Sequence, residues 1–251
     1  MPARRRDGEV VLTFLGTRGE IELRTRRHRR HSSLLVRRGD ERVMIDCGAD
    51  WLGRLRRVKP TAIVLTHAHP DHAWGLARGA PCPVYATRES WNLISAYPIS
   101  DRRIIRPRRP VSIGGLRFKA FSLEHSTRAP AVGYRISAAG WRFFYAPDVV
   151  AIHERHEALQ GVDRYIGDGA TMVRSMVRRR GRALIGHSSI RNQLVWCAKE
   201  GVRAAIFTHC GSEMVGGDAR AMQRVVHALG RERGVHARIA HDGLRLGFRS
   251  R

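Results

Sequence analysis

The sequence predicts an α/β fold of four layers, in which two β-sheets pack against each other and helices cover their outer faces, an αββα sandwich. Two observations predict it. Apolar runs of strand length, most of them bounded by Gly, Pro or Arg clusters, dominate the first half of the chain. Helical patterns lie between the later strands and become stronger towards the end of the chain.

Seven runs in the first 145 residues have the length and composition of β-strands. The last two are joined by Ser137-Ala138-Ala139-Gly140, a connection that predicts a β-hairpin. The runs are Val10 to Leu15, Ser33 to Val36, Val43 to Asp46, Ala62 to Thr66, Leu116 to Phe121, Val132 to Ile136 and Trp141 to Tyr145.

Two helices are predicted in the last third of the chain from caps and apolar spacing. Ser188 or Ser189 can cap the first helix, because a serine hydroxyl accepts a bond from a free backbone N–H of the first turn. We expect that helix to end at Gly201. Asp218 opens the second helix in the same way, and Gly230 is expected to end it.

The size and hydropathy of the chain favour one domain over residues 1–251. Of these residues 43% are hydrophobic, which is enough for a sizeable core. The chain lacks the stretch of about 18 uncharged apolar residues that suggests a membrane helix. Its Arg-rich start, Pro2 to Arg6, does not lead into an apolar signal segment. We expect a cytoplasmic protein that contacts no membrane, and any oligomer is expected to be a homodimer.

The cysteines argue against two classes of small scaffold. Pairs spaced as C-x-x-C are typical of zinc ribbons, and dense cysteines in a secreted chain are typical of disulfide frameworks. Neither pattern occurs here, so we expect four reduced thiols, Cys47, Cys82, Cys197 and Cys210.

The chain is strongly basic, with a formal charge of +24 and a sequence pI near 11.5. Such a charge is typical of proteins that bind polyanions. Only three of the 46 basic residues are lysine, however, and so uneven a choice of arginine also follows from base composition of the coding DNA. Dense runs at residues 24–30, 102–109 and 174–182 fit a nucleic-acid track and a solvated face equally well. The His28 to His31 segment is predicted to be a solvated loop.

The most informative segment is His-Ala-His-Pro-Asp-His at residues 67–72, directly after the apolar run that begins at Ala62. Three imidazoles and a carboxylate this close cannot all be satisfied as neutral groups in an apolar core. At the end of a strand they can converge on a cation. We interpret His67, His69, Asp71 and His72 as metal ligands.

Three later residues also follow predicted strands: His125, Asp148 and His209. A carboxylate from Asp148 between two cations would partly neutralise both, and imidazoles would complete each shell. Simpler interpretations stay open. His125 fits an ordinary loop histidine, Asp148 fits a helix cap for a segment that begins at Val149, and His187 fits a strand-to-helix turn.

The order of these motifs resembles the metallo-β-lactamase fold superfamily, over nearly the whole chain. More narrowly it is similar to the branch of ribonuclease Z and phosphodiesterases. Besides the 67–72 cluster and His125, Asp148 and His209, the resemblance rests on five segments. They are Phe14-Leu15-Gly16-Thr17-Arg18-Gly19, Arg30 to Val36, Met44-Ile45-Asp46-Cys47-Gly48, Gly167-Asp168-Gly169-Ala170-Thr171 and His187-Ser188-Ser189.

The resemblance implies two zinc ions at one edge of the sandwich, although manganese or iron would fit the same donors. It implies that Asp148 bridges the ions and that His187 reaches toward the scissile phosphate. It also implies that Asp46 orients the 67–72 cluster without itself binding a metal. One ion would be held by His67, His69 and His125, and the other by Asp71, His72 and His209.

The implied activity is that of a dizinc phosphodiesterase, which acts on nucleic acid or a cyclic nucleotide through a hydroxide that bridges the metals. Asp71 and His187 are its candidate catalytic residues. Family members that mature transfer RNA carry a long protruding arm, and the 22 residues between His125 and Asp148 leave no room for one. Asp168 also replaces the usual glutamate of its motif.

Two other functions stay open. One is hydrolysis of a lactone or thioester by the same metals, because a fold does not fix a function. The other is a basic nucleic-acid-binding protein in which the metals are structural, which only the charge suggests. Turnover of phosphodiesters beside lactones and thioesters separates these alternatives.

Overall fold

Neighbouring residues of the central strands are buried in different parts of the molecule. Leu34 and Val36 pack in one apolar cluster, whereas Leu35 between them packs in a second. Phe144 packs in a third cluster, apart from its neighbour Phe143. Because successive side chains of a strand point to opposite faces, each sheet is covered on both faces. This computed structural model describes residues 8–251, so the Arg-rich start at Pro2 to Arg6 lies outside the described residues.

The first sheet has seven strands. They are β1 (Val10–Gly16), β2 (Ser33–Arg38), β3 (Glu41–Ile45), β4 (Ala62–Val64), β5 (Val84–Ala86), β6 (Arg102–Ile104) and β17 (Arg245–Phe248). Their spatial order is β17-β1-β2-β3-β4-β5-β6. Strands β3 to β6 are parallel, and β1 pairs antiparallel with both β2 and β17.

The second sheet has the order β11-β8-β9-β10-β12-β15-β16, with β7 paired to β8. A separate hairpin is formed by β13 (Arg178–Arg180) and β14 (Ala183–Ile185). The sheet strands are β7 (Pro110–Ile113), β8 (Leu116–Glu124), β9 (Ala131–Ala138), β10 (Trp141–Tyr145), β11 (Ala151–Ile152), β12 (Arg164–Asp168), β15 (Ala204–Thr208) and β16 (His236–Ile239).

Helices cover the outer face of each sheet. The cluster between the two sheets contains residues of both, whereas the two outer clusters each join one sheet to helices. This is the predicted four-layer αββα arrangement, which is confirmed. The helices are α1 (Leu55–Val58), α2 (Pro70–Ala73), α3 (Arg88–Leu93), α4 (Arg155–Leu159), α5 (Ile190–Lys199), α6 (Ser212–Gly216) and α7 (Ala219–Arg231), with 3-10 turns at Ala49–Trp51 and Trp74–Leu76.

The predicted helix caps are present at two helices. The Ser189 side chain accepts a bond from a backbone N–H of α5, and Asp218 does the same at α7. Helix α5 ends before Gly201, as expected. Helix α7, by contrast, passes Gly230 by one residue. A Cβ on Gly230 would lie 2.3 Å from the Val235 carbonyl oxygen, so this glycine allows close packing on β16 and does not end the helix.

The predicted hairpin is confirmed between β9 and β10, which pair with Ala138 opposite Trp141. Its two connecting residues, Ala139 and Gly140, have φ values of 52° and 82°. Positive φ at both central residues is typical of the tight turn that matches the twist of the flanking strands.

Two expectations about the whole chain concern thiols and membranes. All four cysteines are free, and Cys47, Cys197 and Cys210 are buried. Burial raises the pKa of the Cys197 thiol, so this thiol stays neutral. Within residues 8–251, none of the helices combines the length and the apolar character that a membrane crossing requires.

The prediction of a solvated loop at His28 to His31 is wrong, because both histidines are buried. His28 Nδ1 lies 2.9 Å from the Thr17 hydroxyl, which donates to Asp242 at 2.8 Å. His31 Nε2 lies 2.8 Å from the buried Arg18 guanidinium. Burial lowers the pKa of each histidine to about 4. These imidazoles are therefore neutral partners in a buried polar network.

The strand directions bring several strand ends to one edge of the sandwich. Strands β8 and β10 are both antiparallel to β9, and β10, β12 and β15 are parallel to one another. Their carboxyl ends therefore lie at the same edge of the second sheet. In the first sheet, β3 and β4 are also parallel and end together. Residues at or shortly after the ends of these six strands form most of the candidate site.

Candidate metal centre

A buried carboxylate, Asp148, lies at the centre of a group of histidines. Its Oδ2 atom is 3.3 Å from His67 Nε2, 3.0 Å from His72 Nε2 and 3.4 Å from His125 Nε2. Its Oδ1 atom is 2.8 Å from His209 Nδ1. Four separate segments of the chain thus meet at one carboxylate, at the edge of the sandwich where their strands end.

The first half of the cluster consists of His67, His69, His125 and Asp148. His69 Nδ1 is 3.0 Å from His67 Nε2 and 3.2 Å from His125 Nε2. Ligand atoms around a tetrahedral ion with bonds of about 2.0–2.1 Å lie about 3.3 Å apart. The observed separations match that spacing, so these four residues fit one small cation.

The second half consists of Asp71, His72, Asp148 and His209. Asp71 Oδ2 is 3.1 Å from both His72 Nε2 and His209 Nε2. Three buried atoms here, His72 Nε2, Asp148 Oδ1 and His209 Nδ1, have a charged neighbour within 3.0 Å but no hydrogen bond of acceptable geometry. Atoms that are close but do not point at each other fit a second cation, with Asp148 shared between the two.

Groups behind the histidines fix the orientation of their rings. His72 Nδ1 lies 2.9 Å from Asp46 Oδ2, and His67 Nδ1 lies 3.0 Å from the Thr66 hydroxyl, which itself donates to Asp46 at 2.8 Å. Each ring therefore donates from Nδ1 and presents Nε2 to the cluster. Such a partner fixes the tautomer of a metal-binding histidine. Asp46 thus contacts His72 directly and His67 through the Thr66 hydroxyl.

His187 lies beside the cluster and is held by a second buried carboxylate. Its Nδ1 atom is 2.8 Å from Asp168 Oδ2, whereas Asp148 Oδ1 is 3.5 Å away. Asp168 is fully buried and also accepts bonds from the backbone N–H groups of Val149 and Ala170. The His187 ring lies 5.5 Å from the His209 ring, and its side chain is 20% exposed. Within residues 8–251 the other ring nitrogen, Nε2, makes no hydrogen bond, and the ring lines the cleft.

The histidines of the first half are neutral at neutral pH. Burial lowers the pKa of His69 to about 4, and it holds the pKa of His67 well below the usual range. Burial also lowers the pKa of His125, against the effect of Asp148. A neutral imidazole has a free lone pair, so this half is ready to bind a cation.

Carboxylates raise the pKa of the other histidines of the site. Burial opposes the charged form of His209, yet the Asp148 carboxylate and its neighbours raise the pKa of His209 to about 10. Asp71 and Asp148 outweigh burial at His72 and hold its pKa well above the usual range. Asp168 likewise raises the pKa of His187. A cation bound at the second half would take the place of the protons on His72 and His209.

The simpler interpretations of Asp148 and His125 fail in the structure, and that of His187 is incomplete. No helix begins at Val149, whose N–H donates to Asp168, so Asp148 does not cap one. His125 is buried within the cluster and is not an ordinary loop histidine. His187 precedes helix α5 in a turn, as the sequence suggested, but its ring is part of the cluster.

Two residues at the site were not predicted as members of it, Asp168 and Thr66. Asp168 ends β12, a short parallel strand whose apolar run, Tyr165-Ile166, is too brief to recognise as a strand. The available signals were the position of Asp168 after that run and its place in the family motif at residues 167–171, where it replaces the usual glutamate. Thr66 precedes the cluster directly, but nothing in the sequence shows that its hydroxyl joins His67 to Asp46.

A cleft of about 1160 Å³ opens over the cluster. Its floor contains His69, His125 and His187, and its walls come from the loop after β1, from helix α6 and from the segment before β13. The donor atoms at the floor are thus accessible to a bound molecule.

Comparisons with known proteins agree with this geometry. The family model described as "Beta-lactamase superfamily domain" matches residues 41–210. Ribonuclease Z of Methanopyrus kandleri is 34% identical over 147 residues, which is 52% of this chain and 51% of that protein. Ribonuclease Z of Mycobacterium bovis is 23% identical over 242 residues, 80% of this chain and 85% of that protein. The chain thus spans about half the length of the first relative and most of the second.

Solved structures show the same fold. The metallo-beta-lactamase fold protein YhfI from Bacillus subtilis has a TM-score of 0.74 at 15% identity, covering 96% of this chain and all of that chain. A diphosphatase from the PhnP family has a TM-score of 0.70 at 21% identity, covering 96% of this chain and 97% of that chain. Both the predicted fold and the family resemblance are confirmed.

Proposed function

The chain belongs to the beta-lactamase superfamily, and on that premise we propose that it is a metal-dependent phosphodiesterase. Its substrate is a phosphodiester in nucleic acid or a cyclic nucleotide. Two zinc ions are its cofactors, although the donor set also suits manganese or iron. One ion would be held by His67, His69 and His125, the other by Asp71, His72 and His209, and Asp148 belongs to both ligand groups.

The observation that carries the proposal is the position of His187. It is a histidine at the rim of the cluster whose Nδ1 contacts buried Asp168 at 2.8 Å, with Nε2 on the other side of the ring. Burial opposes the charged ring, but the Asp168 carboxylate outweighs it and raises the pKa of His187, which favours the protonated form. Cleavage of a phosphodiester with a poor leaving group needs such a donor.

Each polar residue at the floor then has a role in the reaction. Divalent ions held by these ligands would supply an activated water molecule and neutralise charge on the phosphoryl oxygens. Asp71 would orient the attacking water or accept its proton. His187 gives its proton to the oxygen that leaves with the departing group. Asp46 and Asp168 touch no substrate and act by holding the rings of His72 and His187.

Relatives with known names support phosphoryl chemistry. Proteins named ribonuclease Z match this chain, and one structural neighbour is titled a diphosphatase. The short connection between His125 and Asp148 leaves no room for the protruding arm expected of enzymes that mature transfer RNA. We therefore propose phosphodiester hydrolysis without transfer-RNA maturation.

The direct test is to compare substrates with the zinc-loaded protein. We expect turnover of bis-p-nitrophenyl phosphate, and we expect His69→Ala to lower kcat/KM on it by about 100-fold or more, because that variant loses a metal ligand. A panel of lactones and thioesters is measured at the same protein concentration. The matched control is His156→Ala, which changes an exposed histidine outside the cluster.

Two results would overturn the proposal. Equal rates for the wild type and His69→Ala would remove the cluster from the reaction. Turnover of a lactone or thioester with a kcat/KM far above that on any phosphodiester would assign the same metals to carboxylic esters.

A further inference from the structure

An arginine-rich hairpin forms one side of the cleft. We define the arginine hairpin as residues 174–185, which include strands β13 and β14. Five of its twelve residues are arginine and none is acidic. All five arginines are exposed. They are Arg174, Arg178, Arg179, Arg180 and Arg182.

The hairpin differs from the other dense arginine runs in its lack of acidic partners. In those runs Arg24 lies 2.8 Å from Asp50, and Arg108 lies 2.6 Å from Glu157. None of the hairpin arginines makes an ion pair with any residue among 8–251. Coding bias explains why arginine is common in the chain, but it does not explain five uncompensated charges at one site.

The base of the hairpin is fixed to the candidate metal centre. The Met176 N–H donates to the carbonyl of His187 at 3.2 Å, and the Gly186 N–H donates to the carbonyl of His125 at 3.0 Å. His125 Nδ1 in turn lies 3.1 Å from the Gly186 carbonyl. These bonds set the position of the hairpin relative to the metal ligands before any substrate binds.

Glycine is required at the base for this attachment. Gly186 has a φ of +107°, and a Cβ on it would lie 2.2 Å from the Met176 carbonyl oxygen. Only glycine tolerates both the backbone angle and the close approach.

The arginines lead away from the cluster in an order that suits a chain of phosphates. Arg174 and Arg178 line the cleft, and the tip beyond them carries Arg179, Arg180 and Arg182. Alternate residues of a strand share a face, so Arg180 lies on the same face as Arg178, about 6.6 Å further along. The guanidinium group binds phosphate oxygens through two parallel hydrogen bonds.

Acidic residues line other parts of the cleft. Glu20 lies in the loop after β1 and Glu213 in helix α6, and their carboxylates repel a polyanion. The exposed side chain of Met176 lies in the lining on the hairpin side, where a base finds an apolar surface. Charge complementarity thus directs a bound strand along the hairpin.

We propose that the arginine hairpin binds the phosphate backbone of a single-stranded polynucleotide whose scissile phosphodiester lies at the candidate metal centre. The inference rests on the proposed function and narrows its substrate from phosphodiesters in general to a strand. A small cyclic nucleotide is too short to reach the hairpin tip and the metal ligands at once.

The test compares two triple variants that each remove three positive charges. Arg179→Gln/Arg180→Gln/Arg182→Gln changes the hairpin tip. The matched control changes three exposed arginines of helix α7, which do not line the cleft and make no ion pair within the described chain. These are Arg220→Gln, Arg224→Gln and Arg231→Gln.

Each zinc-loaded protein is measured with a fluorescein-labelled single-stranded RNA of twelve nucleotides and with bis-p-nitrophenyl phosphate. We expect the tip variant to weaken RNA binding about 10-fold or more and to lower the salt dependence of log K by about 0.7 for each phosphate that the hairpin no longer binds. The ratio of kcat/KM on RNA to kcat/KM on bis-p-nitrophenyl phosphate falls about 10-fold or more. The α7 variant keeps the wild-type ratio.

Three results would overturn the proposal. They are an unchanged RNA affinity in the tip variant, an equal loss on both substrates, and RNA duplex bound more tightly than the single strand. If the wild type hydrolyses neither substrate, the proposed function fails. Anisotropy of the labelled RNA with the two variants still decides whether the hairpin binds a strand.

Discussion

Replacement of Asp148 by Asn is expected to lower kcat/KM on a phosphodiester by on the order of 1,000-fold or more. The carboxylate lies within 3.4 Å of four imidazoles and carries the negative charge shared by both halves of the cluster. An amide of the same shape lacks that charge. We therefore also expect a lower zinc content, measured by mass spectrometry of the dialysed protein beside the rate.

Asp101→Asn is the matched control for that variant. Asp101 is an exposed carboxylate paired with Arg103 at 3.0 Å, so the same chemical change there should leave the rate and the zinc content unchanged. Circular dichroism of both variants separates a loss of metal from a loss of fold. Wild-type activity in a folded Asp148→Asn protein would contradict the assignment of Asp148.

Replacement of His187 by Ala is expected to lower the rate on substrates with poor leaving groups much more than the rate on substrates with good leaving groups. A positioned general acid contributes about 10²–10⁴-fold. For a dinucleotide, whose leaving oxygen needs a proton, we expect a loss in that range. For bis-p-nitrophenyl phosphate, whose aryl leaving group departs unprotonated, we expect a loss of less than about 10-fold. Zinc content should stay at the wild-type value.

Asp168→Asn provides a second test of the same pair. Asp168 holds His187 at 2.8 Å and touches no reacting atom, so it is a positioning residue. The double variant His187→Ala/Asp168→Asn should therefore be no slower than His187→Ala alone, because the effects of substituting two residues that act as one unit do not add. Equal losses on both classes of leaving group in His187→Ala would show that the ring is not the acid.

The features predicted from the sequence are those with local signals. The 67–72 cluster brings four candidate ligands together within six residues, and His125 and His209 follow apolar runs that end at the same edge. The caps of α5 and α7 depend on residues three positions apart. Local spacing and strand ends were thus sufficient for the four layers and for most of the cluster.

The features that were missed depend on contacts between distant segments. His28 is buried because Thr17, its hydrogen-bond partner, also bonds Asp242, 225 residues further along the chain. Its arginine neighbours in the sequence instead indicated a solvated loop.

Asp168 was missed because β12 is buried between two parallel strands and presents only a short apolar run. No local pattern reports such neighbours.

The most direct test of the dinuclear centre is a titration of zinc into metal-free protein, with bound metal and the rate on bis-p-nitrophenyl phosphate measured on the same samples. Three groups of possible ligands share Asp148, and the two that contain the proposed metal ligands predict saturation at two ions per chain. We expect negligible turnover without metal and full rate when both groups are filled. Full activity in the metal-free protein, or saturation without any turnover, would contradict the proposed centre.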